Sequence, residues 1–142
     1  MKKLFLLAVF LFAAVSLQAQ ELIEKLTMDE LTKLFKDEGY AVSIDDDGDV
    51  LWKVEGTSTA VILTDEGTSL TFHVAFQNDS TTLAKVNEWN KTHKYCLSYL
   101  DDEGDPVLES FLDLEGGVGK ARITDFFKTC KNLLLDWEKE VL

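Results

Sequence analysis

From residue 40 to residue 76 the sequence alternates, and acids followed by glycine interrupt the alternation at short intervals. Tyr40, Val42 and Ile44 are separated by smaller residues. Val50, Trp52 and Val54 alternate with Leu51, Lys53 and Glu55. Ala60 to Leu63 is a short apolar run rich in β-formers. Leu70, Phe72, Val74 and Phe76 alternate with Thr71, His73 and Ala75. A period of two sends successive side chains to opposite faces of a strand, so these runs predict four strands. The stretches joining them, 43–50 and 64–69, each place Asp or Glu ahead of Gly, and 99–106 repeats the pattern later in the chain. That pairing supplies the positive φ angles of a tight hairpin. Turns this short leave no room for a crossover helix and impose antiparallel pairing.

The same acidic stretches invite a calcium reading, and they fail it. An EF-hand loop needs acids at positions one, three and five, Gly at six and Glu at twelve, between two helices. Setting Gly48 at position six puts Ser43 at one and Val54 at twelve; setting Gly104 there puts Tyr99 at one. Their neighbours are strands, not helices. They read as structural turns, and no metal site is expected.

Helices flank the strands. Thr27-Met28-Asp29-Glu30 is a capping box with acids in the favoured first turn. Met28, Leu31, Leu34 and Phe35 then recur at helical spacing up to Gly39, predicting a helix over 28–38. A second helix is expected from Asp79 or Ser80 to about Thr92, with Leu83, Val86 and Trp89 or Asn90 on its inner side. Two strands follow, Lys94–Leu100 and Pro106–Leu114, the first placing Tyr95, Leu97 and Tyr99 on one face. Gly116 to Gly119 reverses the chain into a last helix over Lys120–Val141. Its stripe of Ile123, Phe126, Phe127, Cys130, Leu133, Leu134, Trp137 and Val141 has a 3.6 period. About 20 residues of helix span ~30 Å, enough to cross a sheet. The order is helix, four strands, helix, two strands, helix. The fold class is therefore α+β: an antiparallel sheet with helices on one face.

The first 19 residues stand apart. Lys2 and Lys3 precede an apolar run from Leu4 to Val15, and Ala19 offers a small residue for cleavage. This is a secretory signal, and it is too short to span a bilayer comfortably. The expected product is a single domain over 20–142, periplasmic or secreted. The first cysteine is Cys96, so no lipoprotein site follows the apolar run. Residues 1–19 hold two lysines and no acid, so their loss takes the net charge from -12 to -14. Such a surface repels phosphate backbones and anionic headgroups, which argues against nucleic acid and direct membrane-surface binding. Export permits a disulfide, but Cys96 and Cys130 both sit in apolar settings where free cysteine is common. Both readings stay open.

The chain offers little chemistry. His73 and His93 are its two histidines, one on a strand and one at a helix C-terminus. No paired His or Cys ligands, nucleophile elbow or phosphate-binding Gly loop is present. No catalytic residue and no cofactor is expected. Trp52, Trp89 and Trp137 fall on apolar stripes and read as core. Trp89, flanked by Asn87 and Asn90, and Trp52 are the aromatic candidates for partner binding. The two asparagines also admit a plainer role, capping the helix and tying it to the next strand.

Several motifs in order resemble the YbjN domain family of bacterial proteins, labelled sensory transduction regulators. They are Asn87-Glu88-Trp89-Asn90, then Tyr99 to Asp105, then Glu109, Asp113 and Gly116-Gly117-Val118, with Gly39-Tyr40 in agreement. The resemblance covers roughly 24–141. It implies a fold similar to the dimeric chaperones of type III secretion and a non-enzymatic role binding protein segments. One departure is the export signal, since such proteins are usually cytoplasmic. The expectation is an exported protein-binding domain, chaperone-like or regulatory and homodimeric. Apolar residues on both faces of strands 50–52 and 60–63 support it, because three helices cover only one face of six strands. The alternatives are a small-molecule module, which needs a closed apolar cavity, and an enzyme, which needs converging polar groups.

Overall fold

The computed structural model describes residues 21–142 apart from 65 and 79. The export signal expected over 1–19 lies outside the described residues. In chain order the elements are β1 (Leu22–Ile23), α1 (Met28–Asp37), β2 (Val42–Ile44), β3 (Val50–Val54), β4 (Thr57–Leu63) and β5 (Ser69–Ala75). Then come α2 (Leu83–Thr92), β6 (Leu97–Leu100), β7 (Pro106–Asp113), β8 (Val118–Gly119) and α3 (Lys120–Glu140). Six strands form one sheet in the order β2-β3-β4-β5-β7-β6, antiparallel throughout. β1 and β8 make a separate two-stranded ladder that the sequence did not announce. Two residues are too few to show a period, so 116–119 reads as a turn alone.

One sheet face carries the core. Val50, Trp52, Val61, Leu70, Phe72, Val74, Leu108 and Leu112 point inward and are buried. Against them pack Leu31 and Phe35 of α1, Val86 and Trp89 of α2, and Ile123, Phe127, Cys130, Leu134 and Trp137 of α3. Phe35 stacks on Phe127 with ring centroids 3.8 Å apart, and Trp52 lies 5.3 Å from Phe35 and 4.9 Å from Tyr40. Each fully buried large apolar side chain contributes about 1.5–3 kcal/mol. The long stripe of α3 thus secures the layer.

The acidic stretches are turns with one shared construction. In the first, Asp45 Oδ1 accepts from the amides of Asp47 (3.0 Å) and Asp49 (2.9 Å). In the second, Asp101 Oδ1 accepts from Glu103 (3.0 Å) and Asp105 (2.9 Å). Gly48 and Gly104 occupy the same place in each, at φ +92° and +88°. In the third stretch Thr64 Oγ1 replaces the aspartate, accepting from Thr68 and Ser69. The leading acid is spent on the backbone, which is what a turn needs.

The capping box forms as expected: the Thr27 amide donates to Glu30, and the Glu30 amide to Thr27 Oγ1. α2 differs. It starts at Leu83 with Thr82 as its cap, later than Ser80; Asp79 lies outside the described residues. Leu83 is 71% exposed rather than inward, and Thr81 fills the buried position, donating to the Val141 carbonyl at 3.0 Å. β6 differs too. Leu97 and Tyr99 do share a face, but it is the uncovered one, and Ser98 is the buried residue. Both cysteines are free thiols.

Candidate functional site

The strand register that buries one face of the sheet assembles the other. Ser43, Leu51, Ala60, His73, Glu109 and Leu97 are successive cross-strand partners, one from each strand, in a single row across the sheet. A second row joins Ile62, Thr71 and Phe111. A third joins Ala75, Val107 and Tyr99. The core helices lie on the opposite face, so this one has no covering layer among the described residues. Phe111 is 53% exposed and Leu97 44%. Val107, between Ala75 and Tyr99, is buried and lies outside the main core cluster.

One polar group interrupts this surface. Glu109 Oε1 lies 3.1 Å from His73 Nδ1 and accepts from the Tyr99 hydroxyl at 3.2 Å. Burial first, then the Glu109 carboxylate, pushes the Tyr99 hydroxyl above its ordinary range. The trio fixes side chains across three strands. The one Ser or Cys in its rows, Ser43, lies on β2, three strands away from His73 on β5, and the trio sits on a sheet face rather than in a cleft. Its geometry suits recognition, with a hydrogen-bonding patch inside an apolar surface.

The candidate tryptophans lie elsewhere. Trp52 and Trp89 are each 2% exposed, so neither reaches the surface as an anchor. Trp52 is enclosed by Phe35, Tyr40, Phe72 and Phe127. Trp89 stacks on His93 with centroids 3.5 Å apart. Its buried Nε1 faces the Cys96 thiol without a well-formed hydrogen bond. The anchors that the face offers, Phe111 and Leu97, escaped the sequence reading. Each is a single apolar residue on a strand whose two faces are both part-apolar, and a period of two does not say which face is buried.

Asn90 has the plainer of its two roles, in a particular form. Its Nδ2 donates to the Ser98 carbonyl at 2.8 Å, and its Oδ1 accepts from the Ser98 amide at 2.9 Å. The side-chain amide thus stands in for a neighbouring strand along the free edge of β6. Ser98 is also tied inward: its hydroxyl donates to the Val107 carbonyl and accepts from Trp137 Nε1, at 2.9 and 2.8 Å.

Carboxylate oxygens of Asp101, Glu103 and Asp105 come within 4.8 Å of one another. Asp101 Oδ1 is already engaged by two amides, and the same turn forms at Asp45. An open hollow lies where Leu22 and Ile23 pass near Leu34; most of its lining is charged, including Lys33, Asp37 and Lys120.

Comparison with curated proteins gave no match. Among solved structures, E. coli YbjN superposes with a TM-score of 0.69 at 16% identity, covering 86% of this chain and 99% of its own. The Yersinia pestis type III secretion chaperone SycH, in complex with a fragment of YscM2, superposes with a TM-score of 0.48 at 13% identity. That alignment covers 75% of this chain and 99% of SycH. Residues 27–142 match the family described as "YbjN: Putative bacterial sensory transduction regulator". That match takes in well over half of the 142 residues, and the chain belongs to the YbjN family.

Proposed function

We propose that the protein is an exported, non-enzymatic binding module, chaperone-like or regulatory, that holds segments of partner proteins on its uncovered sheet face. The observation that carries this reading is the set of apolar residues on the uncovered face, Leu51, Ala60, Ile62, Leu97 and Phe111, with Phe111 53% exposed. An uncovered apolar sheet face marks an interaction surface. The family description and the bound fragment in the SycH structure agree with a role exercised through other proteins. The net charge of -12 speaks for a protein partner rather than nucleic acid or a membrane surface.

The homodimer belongs to the same proposal, with the two copies meeting outside this face. Light scattering checks it: a clean monomer at micromolar concentration counts against it. Cell fractionation with N-terminal sequencing checks export, a mature chain beginning near Gln20 being expected. The face itself is tested by photo-crosslinking in vivo. Phe111→benzoylphenylalanine should trap specific proteins, whereas the same substitution at exposed Leu83 should not. Equal trapping at both positions would refute the assignment.

A further inference from the structure

Resting on that reading of the sheet face, we infer that its occupant is an extended segment with an apolar centre and basic residues at both ends. The face is bordered by acids where strands end. Asp45, Asp46, Asp47 and Asp49 join β2 to β3, Glu66 lies between β4 and β5, Asp113 ends β7 and Glu115 follows it. The antiparallel register puts all of these at one end of the strands. Asp101, Asp102, Glu103 and Asp105, between β6 and β7, lie at the opposite end. None of these acids takes part in an ion pair among the described residues. Like charges crowd there: desolvation, then the charges of Asp45 and Asp47, push the Asp49 carboxyl above its ordinary range. Across the face itself the register places Lys53 and His73 as the basic groups, and His73 already meets Glu109.

The distances fit one chain lying along the strands. β5 has seven residues. At ~3.4 Å per residue it spans ~24 Å from one acidic border to the other. An extended segment therefore covers the face with about seven residues and reaches both borders with the residues beyond. A second copy of this chain is disfavoured, because aligned face-to-face packing would set acidic border on acidic border.

Three labelled 11-residue peptides test this by fluorescence anisotropy with the purified protein. One has a seven-residue alternating apolar centre and two lysines at each end. The second has the same centre and glutamate ends. The third has a glycine-serine centre and lysine ends. The first should bind about tenfold or more tighter than either control, and about 0.5 M salt should weaken it. Phe111→Asp should abolish that binding while leaving the melting curve near wild type, and Leu97→Ser should weaken it. If the glutamate-ended peptide binds as well and Phe111→Asp abolishes both, the basic-ended inference falls while the sheet-face reading stands. If the glycine-serine peptide binds as well, the attraction is plain charge and the inference falls. If no peptide binds, both fall. A dimer that Phe111→Asp splits would seat a second copy on the face and overturn the inference.

Discussion

Removing the Asn90 side chain should open the edge of β6. Its amide makes two hydrogen bonds to the Ser98 backbone, at 2.8 and 2.9 Å. Each such bond contributes about 0.5–1.5 kcal/mol net, so the pair is worth about 2 kcal/mol. Asn90→Ala returns about 0.5 kcal/mol, because Ala is the better helix residue. The expected loss is about 1.5 kcal/mol, read by urea unfolding followed through tryptophan fluorescence. Asn90→Asp separates the two bonds. A carboxylate still accepts from the Ser98 amide but faces the Ser98 carbonyl, so at pH 7 it should cost at least as much as Asn90→Ala. Protonation restores a donor. The folded state thus raises this carboxyl's pKa, so the variant is weakest above the folded pKa and should recover as pH falls towards the ordinary aspartate value of about 3.9. A loss below about 0.5 kcal/mol for Asn90→Ala, or an Asn90→Asp deficit that does not shrink on acidification, would refute the strand-mimic account.

Trp89→Ala should cost about 3–5 kcal/mol in the same unfolding assay, as expected of a buried ring; a change under 1 kcal/mol would mean that it is not core. Gly48→Val and Gly104→Val should each cost at least about 1–2 kcal/mol, because a β-branched residue resists positive φ. Thermal melts with and without millimolar calcium should nearly coincide, and an upward shift of many degrees would make the acidic turns cation sites. The Asp49 carboxyl is pushed up in the fold, so its ionisation destabilises the folded state as pH rises. Asp49→Asn should therefore raise Tm at pH 7, and the gain should vanish in acid once wild-type Asp49 is protonated. The Cys130 thiol is buried and pushed up to about 12, whereas Cys96 is half-buried. Iodoacetamide on the native protein should label Cys96 alone and reach Cys130 only after unfolding, as peptide mass mapping would show.

Where two signals agreed, the sequence was legible. Period-two runs together with acid-glycine turns give β2 to β5 and their pairing, and the 3.6-period stripe gives α3. Where a single signal spoke, it misled. Leu83 has the right spacing to join Val86 and Trp89, yet Thr82 caps the helix and Thr81 takes the buried place. In β6 the apolar set is Leu97 and Tyr99, so hydrophobicity alone points that face inward. The structure buries Ser98 instead, because Trp137, Asn90 and Val107 satisfy all of its polar groups. Those partners come from α3, α2 and β7, so the preference is tertiary and leaves no local trace. The uncovered face was legible in part, through the apolar residues on both faces of 50–52 and 60–63, whereas Leu97 and Phe111 were not, because a period of two does not say which face is buried.

The two edges of the sheet explain why the face is the better surface for an extended partner. A sheet accepts an added segment either along a free edge strand or across an uncovered face. The β6 edge is stoppered at its middle, because the Asn90 amide already occupies the Ser98 amide and carbonyl. The β2 edge is open but only three residues long, which limits an added ladder to a few hydrogen bonds. The face offers contributions from all six strands, a hydrogen-bonding trio at Glu109 and half-exposed Phe111. Blocking the β6 edge also guards against strand-to-strand aggregation there. The expectation is then specific. Asn90→Ala should increase aggregation through the freed edge while leaving binding of the lysine-ended peptide intact, and Phe111→Asp should abolish that binding without increasing aggregation. Either variant that both aggregates more and loses peptide binding would show that edge and face are not separate surfaces.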